Sequence, residues 1–315
     1  MKYSIVVDSV ACLPEQEIKQ RGIKVLPLKV TFEDVKYIDT YEEKALLAIH
    51  KAGRVGIKSK ALSITPTEDD IRDFVLKNVV LNCDVAVCQT IAKEYTPIFQ
   101  AYKAVSDSLA AQAKEVREEK GETIPFRMTS MDTGSLAAGQ GLIALHSDNL
   151  LKSGVPYSEF KPVIEDFKTL VRSITIVQDP VYIRHRVKQK GNKTVSLPVA
   201  IIAKALEFSP IANNQNGNID IIDMKVRGFD KAVERVLEYC VDCVNDGLVA
   251  PLVNISFAGD PKALTKHNSY KRLQHACDDA GVTLYVGVMT LAASINLGPG
   301  TLSVAFAPIN QELLP

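Results

Sequence analysis

The feature that most constrains the fold is the alternation of strand-like and helix-like segments in the first half of the chain. Apolar, β-rich runs predict strands at residues 3–8, 24–32, 84–89 and 126–131. Helical patterns between and after them predict helices at 14–21, 41–52, 67–78, 94–120 and 134–152. Strands that alternate with helices pair in parallel, with helices on both faces of the sheet. The first half therefore predicts an α/β domain with a mostly parallel sheet.

The second half has a different order of elements. The pattern predicts helices at 157–170, 197–208, 229–246 and 261–280, and strands at 173–178, 250–257, 282–289 and 301–307. Asparagines between residues 213 and 218 predict the turn of a hairpin at 209–227. This order indicates a mixed sheet with helices. We predict an α/β protein of two domains, 1–153 and 154–315, with the ligand between them, because domain junctions favour pockets.

Residues 281–311 contain no charged side chain. A membrane span would need ~20 apolar residues in a helix, but this stretch contains Asn296, Gly298-Pro299-Gly300 and several hydroxyl residues. We expect a strand, a loop and a strand in a dry interior, either as the centre of a sheet or as the wall of an apolar pocket. The helix predicted at 197–208 is apolar on nearly all sides and leaves the same choice between core and pocket wall.

Charge and motif content argue against several classes of protein. The chain has 37 basic and 37 acidic residues, which gives no indication of a nucleic-acid partner. No glycine-rich nucleotide-binding loop and no Gly-x-Ser-x-Gly elbow is present. Cys240 and Cys243 have the spacing of a redox or metal pair, but they lie within a predicted helix and no second pair of cysteines or histidines is nearby. We therefore expect neither metal nor cofactor. We expect reduced, buried cysteines and a cytoplasmic protein, because no signal peptide precedes the first strand.

Polar residues and glycines mark the ends of predicted strands, where α/β proteins carry their ligand chemistry. Asp8 and Ser9 close the first strand and indicate either a cap or Asx turn, or a residue that lines a pocket. Gly298-Pro299-Gly300 precedes the last strand. A glycine backbone carries no side chain, so its amide can approach a ligand. Ser9 and Gly298 are therefore candidate ligand-binding residues.

Several motifs occur in the order found in one known family. The chain begins with Asp8-Ser9-x-x-x-Leu13-Pro14 and ends with Gly298-Pro299-Gly300-x-Leu302-x-Val304-Ala305-Phe306. Between them lie Val25-Leu26-Pro27-Leu28, Tyr37-x-Asp39, Asp132-Thr133, Gly139-Gln140-Gly141-Leu142, Ser209-Pro210-Ile211 and Lys225-Val226-Arg227-Gly228. Over essentially its whole length the sequence resembles the DegV family of bacterial lipid-binding proteins, as a divergent member. The resemblance implies two α/β domains that bind a fatty acid or similar acyl lipid in a tunnel between them. It also implies that the protein catalyses no reaction and presents the carboxylate to a partner kinase.

The resemblance also implies where the carboxylate is held. In the family, this end of the tunnel is formed by a Thr-Ser-x-Pro-type loop, a Ser-rich loop and a His before Thr-Gly-Pro-Gly. The corresponding stretches here are 58–66, 89–97 and the position of Asn296, and all three depart from the family pattern. Asn donates and accepts hydrogen bonds as a neutral His does, and Lys58, Lys60 or Lys93 would supply charge. The resemblance therefore adds four candidate ligand-binding residues, Ser63, Thr65, Thr90 and Asn296.

The strongest cluster of positive charge runs from Arg184 to Lys193. As a pattern it is typical of a solvated loop. The resemblance implies that an Arg in this region lies on the face that meets the kinase, and Arg186, followed by Val187, matches that Arg. We therefore predict Arg186 on a partner surface, where a guanidinium group suits a phosphate.

Two other functions stay open at this point. One is binding of a different apolar ligand by the same fold, because the carboxylate-binding positions differ from the family. The other is an enzyme that acts on a small polar substrate with Asp8, Asp132 or Lys93, which ranks last because no acid–base or nucleophile arrangement is legible. A pocket lined by apolar side chains favours lipid binding, whereas one lined by carboxylates and lysines favours the enzyme.

Overall fold

The computed structural model of the protein describes residues 2–33, 35–56, 59–189, 208–223, 225–312 and 314. Within these residues the strands form a four-stranded parallel sheet, a three-stranded antiparallel sheet and a six-stranded mixed sheet. The predicted α/β class, with a parallel sheet in the first half and a mixed sheet in the second, is confirmed. The division into domains at residues 153 and 154 stays a prediction.

The elements have the following bounds. The strands are β1 (Tyr3–Asp8), β2 (Lys24–Leu26), β3 (Lys29–Phe32), β4 (Val35–Ile38), β5 (Ala61–Ile64), β6 (Val85–Thr90), β7 (Arg127–Asp132), β8 (Arg172–Ile176), β9 (Ile211–Gln215), β10 (Asn218–Asp223), β11 (Leu252–Phe257), β12 (Thr283–Val288) and β13 (Leu302–Phe306). The α-helices are α1 (Glu15–Arg21), α2 (Glu43–Lys51), α3 (Glu68–Asn78), α4 (Ile98–Ser108), α5 (Ala110–Glu118), α6 (Ala138–Lys152), α7 (Tyr157–Leu170), α8 (Pro180–Gln189), α9 (Phe229–Asp246), α10 (Asn268–Ala280) and α11 (Leu291–Leu297). The helix predicted at 197–208 lies outside the described residues, apart from Phe208.

The parallel sheet has the strand order β2-β1-β6-β7 and is buried on both faces. Along β1, Val6 belongs to a core cluster with Tyr102 of α4. Its neighbours Ile5 and Val7 belong to a second cluster with Leu142 of α6. Because successive side chains of a strand point to opposite faces, one strand contributes to two cores. Helices therefore cover both faces of this sheet.

The strand predicted at 24–32 is two strands in different sheets. β2 ends at Leu26, and the chain leaves the parallel sheet at Pro27, which has no amide hydrogen to donate to a ladder. β3 then pairs with β4 and β5 in the three-stranded sheet. The prediction of one continuous strand is wrong because the apolar pattern continues across the proline.

The mixed sheet has the strand order β10-β9-β8-β13-β11-β12. Only the β11–β12 pair is parallel among its described pairings. The predicted hairpin is formed by β9 and β10, and its turn residues Asn216 and Gly217 have φ values of 48° and 84°. Two consecutive positive φ values are typical of a type I′ turn, which matches the twist of the strands.

Helix α6 lies between the parallel sheet and the mixed sheet and contacts β1, β11 and β13. A Cβ atom at Gly141 would lie 2.6 Å from the Ala11 carbonyl oxygen and 2.6 Å from Asn254 Nδ2. A Cβ at Gly139 would lie 2.7 Å from Cβ of Ser173. The two glycines therefore permit a close approach of α6 to the mixed sheet at Ser173 and Asn254, and Gly141 also permits one to the turn that follows β1.

Residues 291–297 form helix α11, where the sequence predicts a loop, so that prediction is wrong. The amides of Leu291 and Ala292 donate to the Asp39 carboxylate at 3.0 and 3.2 Å. Asp39 lies 252 residues before Leu291 in the chain. Thr290 occupies the N-cap position, but its side chain makes no capping hydrogen bond. The acceptor for the first turn is instead a remote carboxylate, which a local sequence pattern does not show.

The helix predicted at 94–120 is observed as α4 and α5, separated at Leu109. The Ser108 hydroxyl donates to the carbonyls of Ala104 and Val105 at 2.8 and 3.4 Å. Such back-bonding competes with the backbone ladder and bends helices. The break therefore coincides with a serine that an amphipathic pattern does not reveal.

All six cysteines are buried, and none forms a disulfide. In the part of the chain that the structure describes, no three His, Cys, Asp or Glu side chains are grouped so as to hold a metal ion. Nor does any helix among those residues combine the length and apolar character that crossing a membrane requires.

We expect the stability of the fold to depend on pH through His146, whose ring centroid lies 4.1 Å from that of Phe167. Burial lowers the pKa of His146 to about 4. Between pH 4 and 6.5 the unfolded chain therefore binds a proton that the folded protein does not. The contribution of this histidine is present above pH 6.5 and is lost as the pH falls toward 4.

When the pH falls from 6.5 to 4, the free energy of unfolding should decrease in both proteins. The decrease should be smaller in His146→Gln by roughly 1–2 kcal/mol, after allowance for the partly exposed ring. Urea denaturation at several pH values measures the difference. His275→Gln, at an exposed position on α10, is the matched control. Identical pH dependence in the unsubstituted protein and His146→Gln would contradict the prediction.

Candidate functional site

Two predicted ligand-binding residues, Ser63 and Asn296, meet although they lie far apart in the sequence. Asn296 Nδ2, on α11, donates to the Ser63 hydroxyl on β5 at 2.9 Å and to the Ala292 carbonyl at 2.8 Å. Both Ser63 and Asn296 are half-buried. The fold therefore brings together the first and third elements that the resemblance assigns to the carboxylate end.

The second of these elements, residues 89–97, approaches the first through Thr96. The hydroxyl of Thr65 lies 3.3 Å from that of Thr96, in the loop after β6. Thr65 is exposed and Thr96 is half-buried. We call Ser63, Thr65, Thr96 and Asn296 the head cluster. It combines three hydroxyls and one amide, carries no charge of its own and reaches solvent.

The buried Asp39 carboxylate positions the helix that carries Asn296. Its Oδ2 accepts hydrogen bonds from the Ser9 hydroxyl at 2.7 Å and the Ala292 amide at 3.2 Å. Its Oδ1 accepts from the amides of Thr40 at 2.9 Å and Leu291 at 3.0 Å. Burial raises the pKa of Asp39, and these hydrogen bonds oppose the rise. The ends of β1 and β4 and the start of α11 are thus held at one point.

Asp8 forms an Asx turn, one of the two roles that its position after β1 predicts. Its carboxylate accepts from the amides of Val10 at 3.0 Å and Ile91 at 3.2 Å, and from the Gln140 side chain at 3.0 Å. Burial raises the pKa of Asp8, against the effect of these donors. The carboxylate is therefore engaged inside the protein.

Two predicted ligand-binding hydroxyls, those of Ser9 and Thr90, are also used internally. Besides donating to Asp39, the Ser9 hydroxyl accepts from the Leu28 amide at 3.2 Å. The Thr90 hydroxyl donates to the Met131 carbonyl at 3.5 Å. Both residues are buried, and the structure does not bring them to the head cluster.

Gly298 has a conformational role in place of the predicted contact of its amide with a ligand. The amide donates to the Ser294 carbonyl at 2.8 Å and ends α11. The φ value of Gly298 is 99°, and a Cβ atom there would lie 2.9 Å from Cδ1 of Tyr182. A glycine is therefore required by the backbone and by the neighbouring ring, and its amide hydrogen is already used.

Arg186 lies in the interior, so the prediction that it lies on a partner surface is corrected. Only 3% of its surface is exposed, and its Nη1 donates to the Ala61 carbonyl on β5. One turn earlier on α8, the Tyr182 hydroxyl donates to the Ile295 carbonyl at 2.7 Å. Residues four apart share one face of a helix, and this face of α8 packs inward. Burial lowers the pKa of Arg186.

The remaining residues of the enzyme alternative are held in turns and an exposed ion pair. Asp132 accepts the amides of Lys93 at 3.1 Å and Gly134 at 3.0 Å. Lys93 Nζ lies 3.7 Å from Asp132 Oδ2 and is largely exposed. Asp8 is enclosed by its own donors, so these three groups do not form an acid–base pair on a common surface.

An apolar cleft lies next to the head cluster. It encloses about 580 Å³ of empty space, part of which is open to solvent. Its lining consists of Leu136, Thr175, Val177, Pro180, Ile183, Pro210, Ala212, Asn214, Ile219, Ile221 and Leu297. Leu297 directly follows Asn296, so the cleft and the head cluster are adjacent. Leu136 comes from the first predicted domain and the other residues from the second.

The layered sheets and the cleft beside the head cluster define an α/β protein with a candidate small-molecule site. The family model described as "Uncharacterised protein, DegV family" matches residues 2–308. A DegV domain-containing protein of Xanthomonas campestris is 31% identical over 308 residues, covering 98% of each chain. The chain belongs to the DegV family, and the predicted resemblance is confirmed.

Solved structures share the fold over nearly the whole chain. The structure of DegV from Bacillus subtilis, described as a fatty acid binding protein, has a TM-score of 0.73 at 18% identity and covers 98% of this chain and 99% of that one. A Thermotoga maritima protein, described as revealing a fatty acid binding function, has a TM-score of 0.71 at 19% identity and covers 98% and 100%. At these identities the comparison establishes a common fold.

We predict that Asp39→Ala destabilises the protein by roughly 3–5 kcal/mol, because it leaves buried donors of β1 and α11 without an acceptor. Asp39→Asn should lie between Asp39→Ala and the unsubstituted protein, since it keeps the volume and one acceptor oxygen. Urea denaturation measures both changes. The matched control is Asp70→Ala, which removes the half-buried carboxylate of the capping box of α3 and its ion pair with Lys29 and should cost about 1 kcal/mol. If Asp39→Ala and Asp70→Ala lowered the free energy of unfolding equally, the prediction that the buried Asp39 network stabilises the protein more than a capping box would be contradicted.

Proposed function

We propose that this protein binds a long-chain fatty acid or a similar acyl lipid and does not convert it chemically. The acyl chain lies in the cleft and the carboxylate at the head cluster. The observation that carries the proposal is the lining of the cleft, in which nine of eleven residues are apolar. Such a surface favours an acyl chain over a small polar substrate.

The cleft accounts for affinity. Each methylene that leaves water contributes about 0.8 kcal/mol, so a chain of about ten buried methylenes gains roughly 8 kcal/mol before the cost of association. This gain needs no specific contact along the chain. Affinity therefore grows with the length that the cleft encloses.

The head cluster suits a carboxylate because it offers donors without an opposing charge. A carboxylate taken out of water must be hydrogen-bonded, and each hydroxyl of Ser63, Thr65 and Thr96 can rotate its proton toward an acceptor. The guanidinium of Arg186 contacts the Ala61 carbonyl, two residues before Ser63 on β5. Its positive charge further favours an anion at this end.

The proposal also includes a partner kinase, to which the protein presents the bound carboxylate. Thr65 is exposed, so a carboxylate held there is accessible to a second protein. The Bacillus and Thermotoga proteins described as binding fatty acids support the ligand class, and the step of presentation follows from the family resemblance. Because Arg186 is buried, other residues around the head cluster would form the surface that meets the kinase.

A different apolar ligand is the second candidate. Two polar residues, Thr175 and Asn214, interrupt the lining of the cleft. A plain hydrocarbon chain gives their polar atoms no partner, whereas a substituted chain would. This observation favours a ligand whose chain carries a polar group.

The direct test is mass spectrometry of an organic extract of the purified protein. We expect a bound fatty acid, and its affinity should fall at least ~100-fold in Ile221→Glu, because a carboxylate in the cleft must be desolvated beside the chain. Val181→Glu, on the exposed side of α8 near the cleft residue Ile183, is the control and should retain the ligand. A different apolar molecule in the extract would support the second candidate. Unchanged binding in Ile221→Glu would reject the cleft as the site.

Ser63→Ala tests the head cluster. Loss of one donor to a charged acceptor should weaken binding of the free fatty acid roughly 5- to 10-fold. Binding of the methyl ester should change less, because an ester accepts weaker hydrogen bonds than a carboxylate. Displacement of a fluorescent fatty acid measures both affinities, with Ser153→Ala at the exposed end of α6 as the control. If acid and ester were weakened equally, Ser63 would not contact the carboxylate.

A further inference from the structure

Asn214 is a buried polar residue in the wall of the apolar cleft. It lies on β9 opposite Ile219 of β10, and Ala212 lies opposite Ile221 on the same face. Side chains two positions apart in a strand point the same way, and all four residues line the cleft. Only 4% of Asn214 is exposed. Its amide therefore faces an otherwise apolar surface.

Tyr95 fixes the orientation of this amide. The Tyr95 hydroxyl donates its one proton to the Gly217 carbonyl at 3.0 Å, so it can only accept from Asn214, and Nδ2 is the donor. Burial raises the pKa of Tyr95, so the phenol keeps that proton at neutral pH. With the amide flipped, Oδ1 would face a hydroxyl with no proton left to donate. Nδ2 therefore faces Tyr95 and Oδ1 faces away from it.

The hairpin turn keeps this arrangement in place. The Gly217 amide donates to the Gly134 carbonyl at 2.6 Å. A Cβ atom at Gly217 would lie 2.6 Å from Glu94 Oε2, so the turn packs closely on the loop that carries Tyr95. The amide of Asn214 is thus held by the loops after β6 and β7, and it cannot turn without breaking these contacts.

Asn214 Oδ1 is buried, and no donor among the described residues forms a hydrogen bond with it. A buried acceptor without a donor costs ~1–3 kcal/mol. A leucine of similar volume would line the cleft without that cost. A ligand that places an O–H group at this point removes the cost when it binds, whereas a plain hydrocarbon chain does not.

We propose that the preferred ligand is a hydroxylated long-chain fatty acid, whose chain hydroxyl donates to Asn214 Oδ1. This inference rests on the proposed function and names its ligand class. A keto group or a double bond does not serve, because neither has a proton to donate. Asn214 is then the specificity-determining residue, and Tyr95 is a positioning residue that acts through it.

The test compares octadecanoic acid with its monohydroxy derivatives. The hydroxyl group of these derivatives is near the carboxylate, at mid-chain, or between mid-chain and the methyl end. Dissociation constants are measured by displacement of a fluorescent fatty acid. We expect one positional isomer to bind the unsubstituted protein roughly 5- to 10-fold more tightly than octadecanoic acid. Asn214→Leu should lose this preference, so that in this variant the hydroxylated isomer and octadecanoic acid have nearly equal dissociation constants.

Two further variants separate specificity from general damage. Asn213→Leu makes the same change one residue earlier, on the other face of the sheet, where Asn213 pairs with Asp220 and Ile174. This variant should keep the preference. Tyr95→Phe retains Asn214 but frees its amide to rotate, so the ratio of the dissociation constants of octadecanoic acid and the preferred isomer should fall toward one. Thermal unfolding reports whether each variant is folded. If Asn214→Leu does not fold, the Tyr95→Phe comparison decides.

The outcomes distinguish the inference from the function on which it rests. If the unsubstituted protein binds octadecanoic acid as tightly as every hydroxylated isomer, the inference is overturned and fatty-acid binding stands. A preference that persists undiminished in both Asn214→Leu and Tyr95→Phe also overturns it. If none of the acids binds the unsubstituted protein, the proposed function itself fails.

Discussion

The hydrogen bonds to the Asp39 carboxylate are the interaction on which the geometry of the candidate site depends. A buried carboxylate is unfavourable unless donors surround it, and here they come from β1, from the residue after Asp39 and from the first turn of α11. These segments meet only in the folded chain. Asn296 lies on α11, and Ser63 lies on β5 in the same sheet as β4. The Asp39 carboxylate, which is not part of the head cluster, therefore fixes the geometry of the head cluster.

The close packing of α6 is the second constraint, and it sets the relation of the two larger sheets. Helix α6 contacts β1 on one side and β11 and β13 on the other. Gly139 and Gly141 let it approach Ser173 on β8 and Asn254 on β11 closely, and Leu136, just before this helix, lines the cleft. A larger residue at either glycine would move α6 away from the mixed sheet and shift Leu136 relative to the hairpin that forms the opposite wall. The motif Gly139-Gln140-Gly141-Leu142 thus has a packing explanation that is independent of the ligand.

The sequence predicts those parts of the fold whose causes are local. Neighbouring residues determine the alternation of strands and helices and the hairpin turn at Asn216, and both are observed. Helix α11 and the inward position of Arg186 depend on contacts between distant segments, so local patterns do not show them. The same applies to the site: the family resemblance indicates Ser63, Thr65 and Asn296, whereas Thr96 and Asn214 acquire their roles from partners 31 and 119 residues away.

The cleft and the head cluster have different physical tasks, but both contact the loop after β6. In the proposed complex the cleft would remove the acyl chain from water without specific contacts, while the head cluster would replace the water that a carboxylate loses. The hairpin wall is tied through Tyr95 and Gly217 to the loop after β6, and that loop also carries Thr96 of the head cluster. Under the proposed function, a carboxylate that orders this loop at the head cluster would also stabilise the wall that contacts the chain. Recognition of the two parts of the ligand would then be coupled, because each part favours the same arrangement of one loop.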